Sequence, residues 1–266
     1  LLIPQILFSG TVVNFDKIHG KLTSQLYPPF IADITSSCLA YEALAVKQFK
    51  ENNFERYFYS IEKQESEYSY LVNYYIPELI SYLDFSQTCY MRGNLDHPQL
   101  PSRLKTLRNE LSSMKKRNHM PDMKFLSVEK INMQTIQAFK DYLVRIRKSY
   151  ARKLDRTLYL KDSLINDLEK NELKGTDFAL LKRMHQNEAL ARLVKREGSA
   201  KNILVKDNQL YRKYEPIYKE PIPGNGRAQF YSPEKRIGEW SLDTYIFNLL
   251  VIWFFIVILY ITLYYD

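Results

Sequence analysis

Side chains able to do chemistry are present in this sequence but scattered. Glu62, Glu65 and Glu67 fall within two helical turns, the spacing at which carboxylates can share a proton or line a solvated helix face. His19, His97, His119 and His185 include no i, i+4 pair, so no helical metal site is expected. Cys38 and Cys89 have no metal-ligand spacing; they read either as a disulfide in an oxidising compartment or as two buried thiols. The sequence contains no Gly-x-x-x-x-Gly-Lys-Ser/Thr phosphate loop, no Gly-x-Ser-x-Gly elbow, no His-Glu-x-x-His and no Cys-x-x-Cys. No catalytic residue, metal ligand or bound cofactor is therefore expected within these 266 residues.

Charge is the next chemical resource. The formal net charge is +8, and the excess is local: Ser102 to Lys161 holds 16 Lys/Arg against 5 Asp/Glu. Such a field attracts phosphate groups, or it is simply a solvated helical surface. An apolar run that would anchor the chain beside a membrane argues against nucleic acid as a partner of this segment.

That run is Tyr245 to Tyr265. It carries no charge, and its clearly polar residues are Asn248 and Thr262. About 20 apolar residues cross the hydrocarbon core as a helix. Trp240 and Tyr245 mark one edge, and Tyr260, Tyr264 and Tyr265 the other, as interfacial rings do. A transmembrane helix over about 244–265 is expected. The apolar Leu1–Phe8 is too short to span and is read as the end of a membrane helix cut by truncation.

The elements between these ends are expected to be mainly helical. Tyr27-Pro-Pro29 blocks a helix, and a helical pattern then runs from about Ile31 to Phe49. Pro77 is expected to open a new helix ending near Met91. A basic helix spans Ser102–Arg117. Ile136, Phe139, Leu143, Ile146, Tyr150, Leu154, Leu158, Ile165 and Leu168 recur at mostly threes and fours, predicting a helix of roughly ten turns. Gly175-Thr-Asp177 should end it, with Thr176 or Asp177 capping a returning helix lined by Phe178, Leu181, Met184, Ala189 and Leu193. Together these predict a coiled-coil-like hairpin over about 131–196. From Tyr211 to the membrane helix an extended, Pro-stiffened tether is expected. The fold class is a mainly α membrane-protein fragment: residues 1–49 as a membrane-helix end with a re-entrant external segment, 50–230 as a basic helical insert, and 231–266 as tether and last transmembrane helix.

Two stretches resemble the permease half of ABC exporters of the G subfamily. Ile6-Leu-Phe-Ser-Gly10 followed by Thr11-Val-Val-Asn14 is similar to the family's membrane-helix end and apolar plug. Ala40-Tyr-Glu-Ala-Leu44 with Gln48-Phe49 is similar to its external helix, with Ala40 in place of the usual Arg. Phe230-Tyr-Ser-Pro233 through Tyr264 resembles the final membrane helix of a bacterial branch, common in Bacteroidetes, that fuses ATPase and permease and carries a large insert before that helix. The resemblance implies a substrate-path plug at Thr11 and Val12, Thr11 replacing a large apolar residue, and an external gate helix carrying Tyr41 and Glu42. It implies ATP and Mg on a domain outside this segment, and a homodimer through the permease. It also implies a bacterial inner membrane, with residues 17–240 periplasmic and the C-terminus cytoplasmic. The helical hairpin would then be free to dock an envelope protein. A membrane-anchored coiled-coil adaptor with no transport role is the alternative.

Overall fold

The computed structural model describes residues 26–114, 120–171, 178–198, 201–221 and 226–265. The described chain is mainly helical: α1 (Phe30–Ile34), α2 (Ser36–Glu51), α3 (Glu55–Tyr70), α4 (Ile76–Met91), α5 (Leu100–Ser113), α6 (Met133–Asn171), α7 (Phe178–His185), α8 (Glu188–Lys195) and α9 (Thr244–Tyr265). Two antiparallel hairpins join them: β1 (Ile203–Lys206) with β2 (Gln209–Arg212), and β3 (Glu234–Ile237) with β4 (Trp240–Asp243). The chain divides into two compact units. One comprises Leu1–Lys63, Ser163–Ala200 and Tyr214–Asp266; the other comprises Gln64–Asp162 and Lys201–Lys213. Helices α3 and α6 contribute residues to both.

In the second unit, α3 does not stop before α4. A single wide turn, Leu71–Tyr75, carries the helix through to Met91. Pro77 explains the wide turn, because its ring conflicts with the carbonyl four residues back and it has no N–H to give. The Ile76 N–H bonds Leu71 O rather than Val72 O. Val72 O thus loses its usual donor, and the residue five ahead of it is Pro77. Arg147 Nε on α6 fills the vacancy at 2.9 Å. Pro77 therefore widens a continuous helix, where the sequence predicted a fresh start.

Helix α6 lies antiparallel to α3 and α4. Going up α6, Lys140 pairs with Asp84 and Gln87, Arg147 with Val72, Tyr150 with Tyr68, and Lys161 with Glu65. The expected long helix is present, begun by Asn132, whose side chain accepts the Thr135 N–H at 2.8 Å. Its stripe buries Ile136, Phe139, Leu143, Ile146 and Tyr150, while Leu158 is exposed. Leu79, Leu83, Leu104, Leu107 and Leu111 of α4 and α5 are buried as well, so all three helices contribute fully buried residues to this unit. The β1–β2 turn, Asp207–Asn208, has both residues left-handed, the conformation of a two-residue hairpin loop.

In the first unit, Asn52 ends α2 and begins α3. Its Oδ1 accepts the Phe54 and Glu55 N–H groups at 2.9 and 2.8 Å, and its amide donates to Phe49 O. The returning segment differs from the single helix expected. It is two short helices, because Asn187 turns its side chain onto the Leu190 N–H and starts α8 afresh. Phe178 and Leu181 of α7 pack with Phe54, Phe58, Leu164, Ile165 and Leu168. Ala191 and Val194 of α8 pack with Val46 and Phe49 of α2, and with Ile217 and Tyr218. The Gly175-Thr-Asp177 turn lies outside the described residues.

The tether is also more ordered than expected. Pro216–Tyr218 forms a turn of 3-10 helix buried in that core, and β3–β4 leads directly into α9. Short polar strands with alternating charge carry little hydrophobic periodicity, so the sequence pattern passed over them. Cys38 and Cys89 are both free and buried.

Candidate functional site

Helix α9 has 22 residues and a mean hydropathy of 2.7 in its most apolar window. It is long and apolar enough to cross a membrane, and apart from Thr244 and Asn248 its side chains lie open or half-open. Leu250, Trp253, Phe254 and Leu263 are all more than half exposed. A soluble surface rarely carries so large an apolar area.

Helix α2 packs antiparallel along the first turns of α9. Lys50 pairs with Asp243, the Lys47 ammonium sits 4.1 Å from the centre of the Tyr245 ring, and Glu42 and Leu39 meet Asn248. The small residues Ala43 and Ala45 are buried on α2.

At the deepest point of this contact sits a buried polar cluster. Glu42 is 3% exposed. Its Oε2 accepts from Lys235 Nζ at 2.7 Å and from Asn248 Nδ2 at 2.9 Å, and its Oε1 accepts from the Tyr231 N–H at 3.3 Å. Asn248 also donates to Leu39 O at 2.9 Å, while its Oδ1 is buried without a hydrogen-bond partner. Thr244 closes the cluster by donating to Ser232 O at 2.6 Å. One carboxylate thus ties three separate segments: α2, the β3 strand and the first turns of α9. A buried ion pair of this kind is a positional lock, since removing either partner strands a charge in a dry site.

The surroundings follow from burial. The Cys38 thiol, one turn before Glu42, is pushed up to about 12 by desolvation, with the Glu42 carboxylate adding to it, so it stays protonated and inert at neutral pH. Asp33 is held above its ordinary value by burial, which outweighs the opposing Arg227 guanidinium at 2.6 Å. Desolvation likewise raises Tyr231 well above the phenol range.

Of the residues singled out by sequence, Thr11 and Val12 lie outside the described residues, as do His19 and His119. Tyr41 and Glu42 are brought together with Phe230 and Tyr231: the Tyr41 ring lies 6.4 Å from each of those rings. Glu62, Glu65 and Glu67 are not brought together. Glu62 binds Lys195 and Tyr218, Glu65 pairs with Lys161, and Glu67 points to solvent. His97 stacks edge-on against Phe85. Among the described residues, no group of three or more His, Cys, Asp or Glu is placed to hold a metal. Sequence reasoning missed Lys235 and gave Asn248 no role. The available signal was the polar residue inside an apolar run, which needs a partner of its own.

The fold and cluster define a mainly helical chain whose last helix can cross a membrane and is locked to a preceding helix by a buried ion pair. No family model, curated protein or solved structure matches it.

Proposed function

We propose that this chain is the permease part of an ATP-driven ABC exporter, contributing the external loop domain and the final transmembrane helix. The observation that supports this reading is the Glu42–Asn248 contact. It joins the segment resembling the exporter's external gate helix to the segment resembling its last membrane helix, although 206 residues separate them. The two resemblances rest on different residues, and a permease requires the two segments to meet. ATP hydrolysis belongs to a domain outside this segment. Tyr41 and Glu42 act as packing and gating positions, not as catalysts. The homodimer, the periplasmic placement of the insert and the bacterial inner membrane belong to the same proposal.

A membrane-anchored adaptor is the second reading, favoured by the presence of one candidate span among the described residues. The test is to purify the product of the complete reading frame, reconstitute it in vesicles and measure ATP hydrolysis. The permease reading expects further apolar spans, an ATPase in the frame or in a co-purifying partner, and turnover altered by Glu42→Gln. A reading frame with no other span and a preparation with no associated ATPase would sink it and leave the adaptor.

A further inference from the structure

Net charge is divided unequally between the two units. The unit made of Gln64–Asp162 and Lys201–Lys213 holds 21 Lys/Arg and 12 Asp/Glu, whereas the other holds 17 and 18. The whole positive excess of the protein therefore resides in the second unit.

Within that unit the cations of α6 fall into two sets. Lys140, Lys161 and Arg147 are used internally, on Asp84, Glu65 and Val72 O. Lys153 sits against the rings of Tyr68 and Tyr150. Arg145, Lys148, Arg152 and Arg156 are different: all four are exposed, and none has an ion pair or ring contact among the described residues. Their spacing of three, four and four places them on one face. The row is about 16 Å long at 1.5 Å per residue. Tyr159, 72% exposed, and Leu160, 47% exposed, continue the same face. Asp141 precedes the row and Asp155 flanks it, neither within ion-pair distance of the four.

Like charges at i, i+4 cost a helix a few tenths of a kcal/mol each, and Lys148, Arg152 and Arg156 form two such pairs in succession. Three of the four are arginines, whose planar fork suits phosphate oxygens. An adjoining tyrosine and leucine suit the boundary between headgroups and acyl chains. We propose that this face of α6 binds the phosphate headgroups of anionic phospholipid. The choice of lipid over another polyanion rests on the reading that α9 spans a bilayer, which keeps headgroups at high local concentration around the same chain; it does not depend on the transport reading.

The test uses the full chain in nanodiscs of phosphatidylcholine alone or of equal parts phosphatidylcholine and phosphatidylglycerol. Cys38 and Cys89 are buried, so Ser149→Cys, in the middle of the face, takes a single fluorescent donor; the acceptor is a headgroup-labelled lipid. Energy transfer is expected with phosphatidylglycerol and should fall as salt rises. Each cation changed to Gln at 145, 148, 152 or 156 should weaken it by about fivefold. Equal transfer in both disc types, or transfer indifferent to the fourfold Gln variant, would overturn the proposal. Binding of soluble heparin that is lost in the fourfold variant, with no lipid-dependent transfer, would also overturn it and assign the face to a soluble polyanion. Quenching of Trp253 by bromine-labelled acyl chains is read in parallel. If it occurs without headgroup transfer, the headgroup proposal alone fails; if it does not occur, the bilayer reading fails and the proposal with it.

Discussion

Arg147 Nε donates to the carbonyl of Val72 across the antiparallel pair formed by α6 and the α3–α4 helix. That carbonyl is available because Pro77 lacks an N–H and the Ile76 N–H goes to Leu71. Leaving a buried carbonyl unsatisfied costs about 1–3 kcal/mol. Arg147→Met should lower stability by about that amount. In a Pro77→Ala background a regular helix can satisfy Val72 itself, so the same change should cost much less. A double-mutant cycle by chemical denaturation checks this; additive costs would mean the arginine acts only through its packing.

The Glu42–Lys235 lock has its own signature. Glu42→Leu or Lys235→Met alone leaves a buried charge unpaired and should cost about 3–5 kcal/mol. The double variant Glu42→Leu/Lys235→Met removes both charges and should recover a large part of that loss. Thermal unfolding of the three proteins in nanodiscs decides it. A double variant as unstable as the sum of the singles would show that the two residues are not coupled.

Among the described glycines, Gly226 is the one whose replacement meets resistance twice. Its φ is +78°, and a Cβ there would come 2.7 Å from Phe247 Cζ on α9. Gly238 also has a positive φ, but nothing lies within 4 Å of its Cβ position. Gly238→Ala should therefore cost only the backbone strain, about 1–2 kcal/mol. Gly226→Ala should cost more, and the surplus should shrink when Phe247→Leu is added. Denaturation midpoints of the four proteins test the ordering.

Alkaline unfolding should be cooperative. Burial pushes Tyr59, Tyr70, Tyr75, Tyr218 and Tyr231 above the usual phenol value of 10.0, and Tyr82 up to about 12. For a group whose folded value is raised, stability is complete below the unfolded value and lost as pH climbs above it. Tyrosinate absorbance from these six buried rings should develop above pH 10.0 in one sharp step, together with loss of helical circular dichroism. Smooth titration of these six tyrosines with helicity intact would contradict their burial.

Elements with local signals were legible without the fold. The apolar run of α9 and the period of α6 are each legible from neighbouring residues, because length and spacing alone decide whether a helix can cross a bilayer or bury one face. The block produced by Tyr27-Pro-Pro29 was equally readable, and α1 begins just after it. Pro77 was readable as a disturbance but not in its outcome. Whether it broke or widened the helix depended on Arg147, 75 residues beyond Val72, supplying that carbonyl's missing donor. The same holds for the partner of α6. Its stripe announced a packing surface, but only the fold selected α3 and α4 to cover it, because apolar contact is non-directional and any matching stripe could serve. Glu42 was marked by resemblance, yet its meaning came from Lys235 and Asn248. A buried charge takes its role from the groups that satisfy it, and those groups come from parts of the chain that only folding brings together.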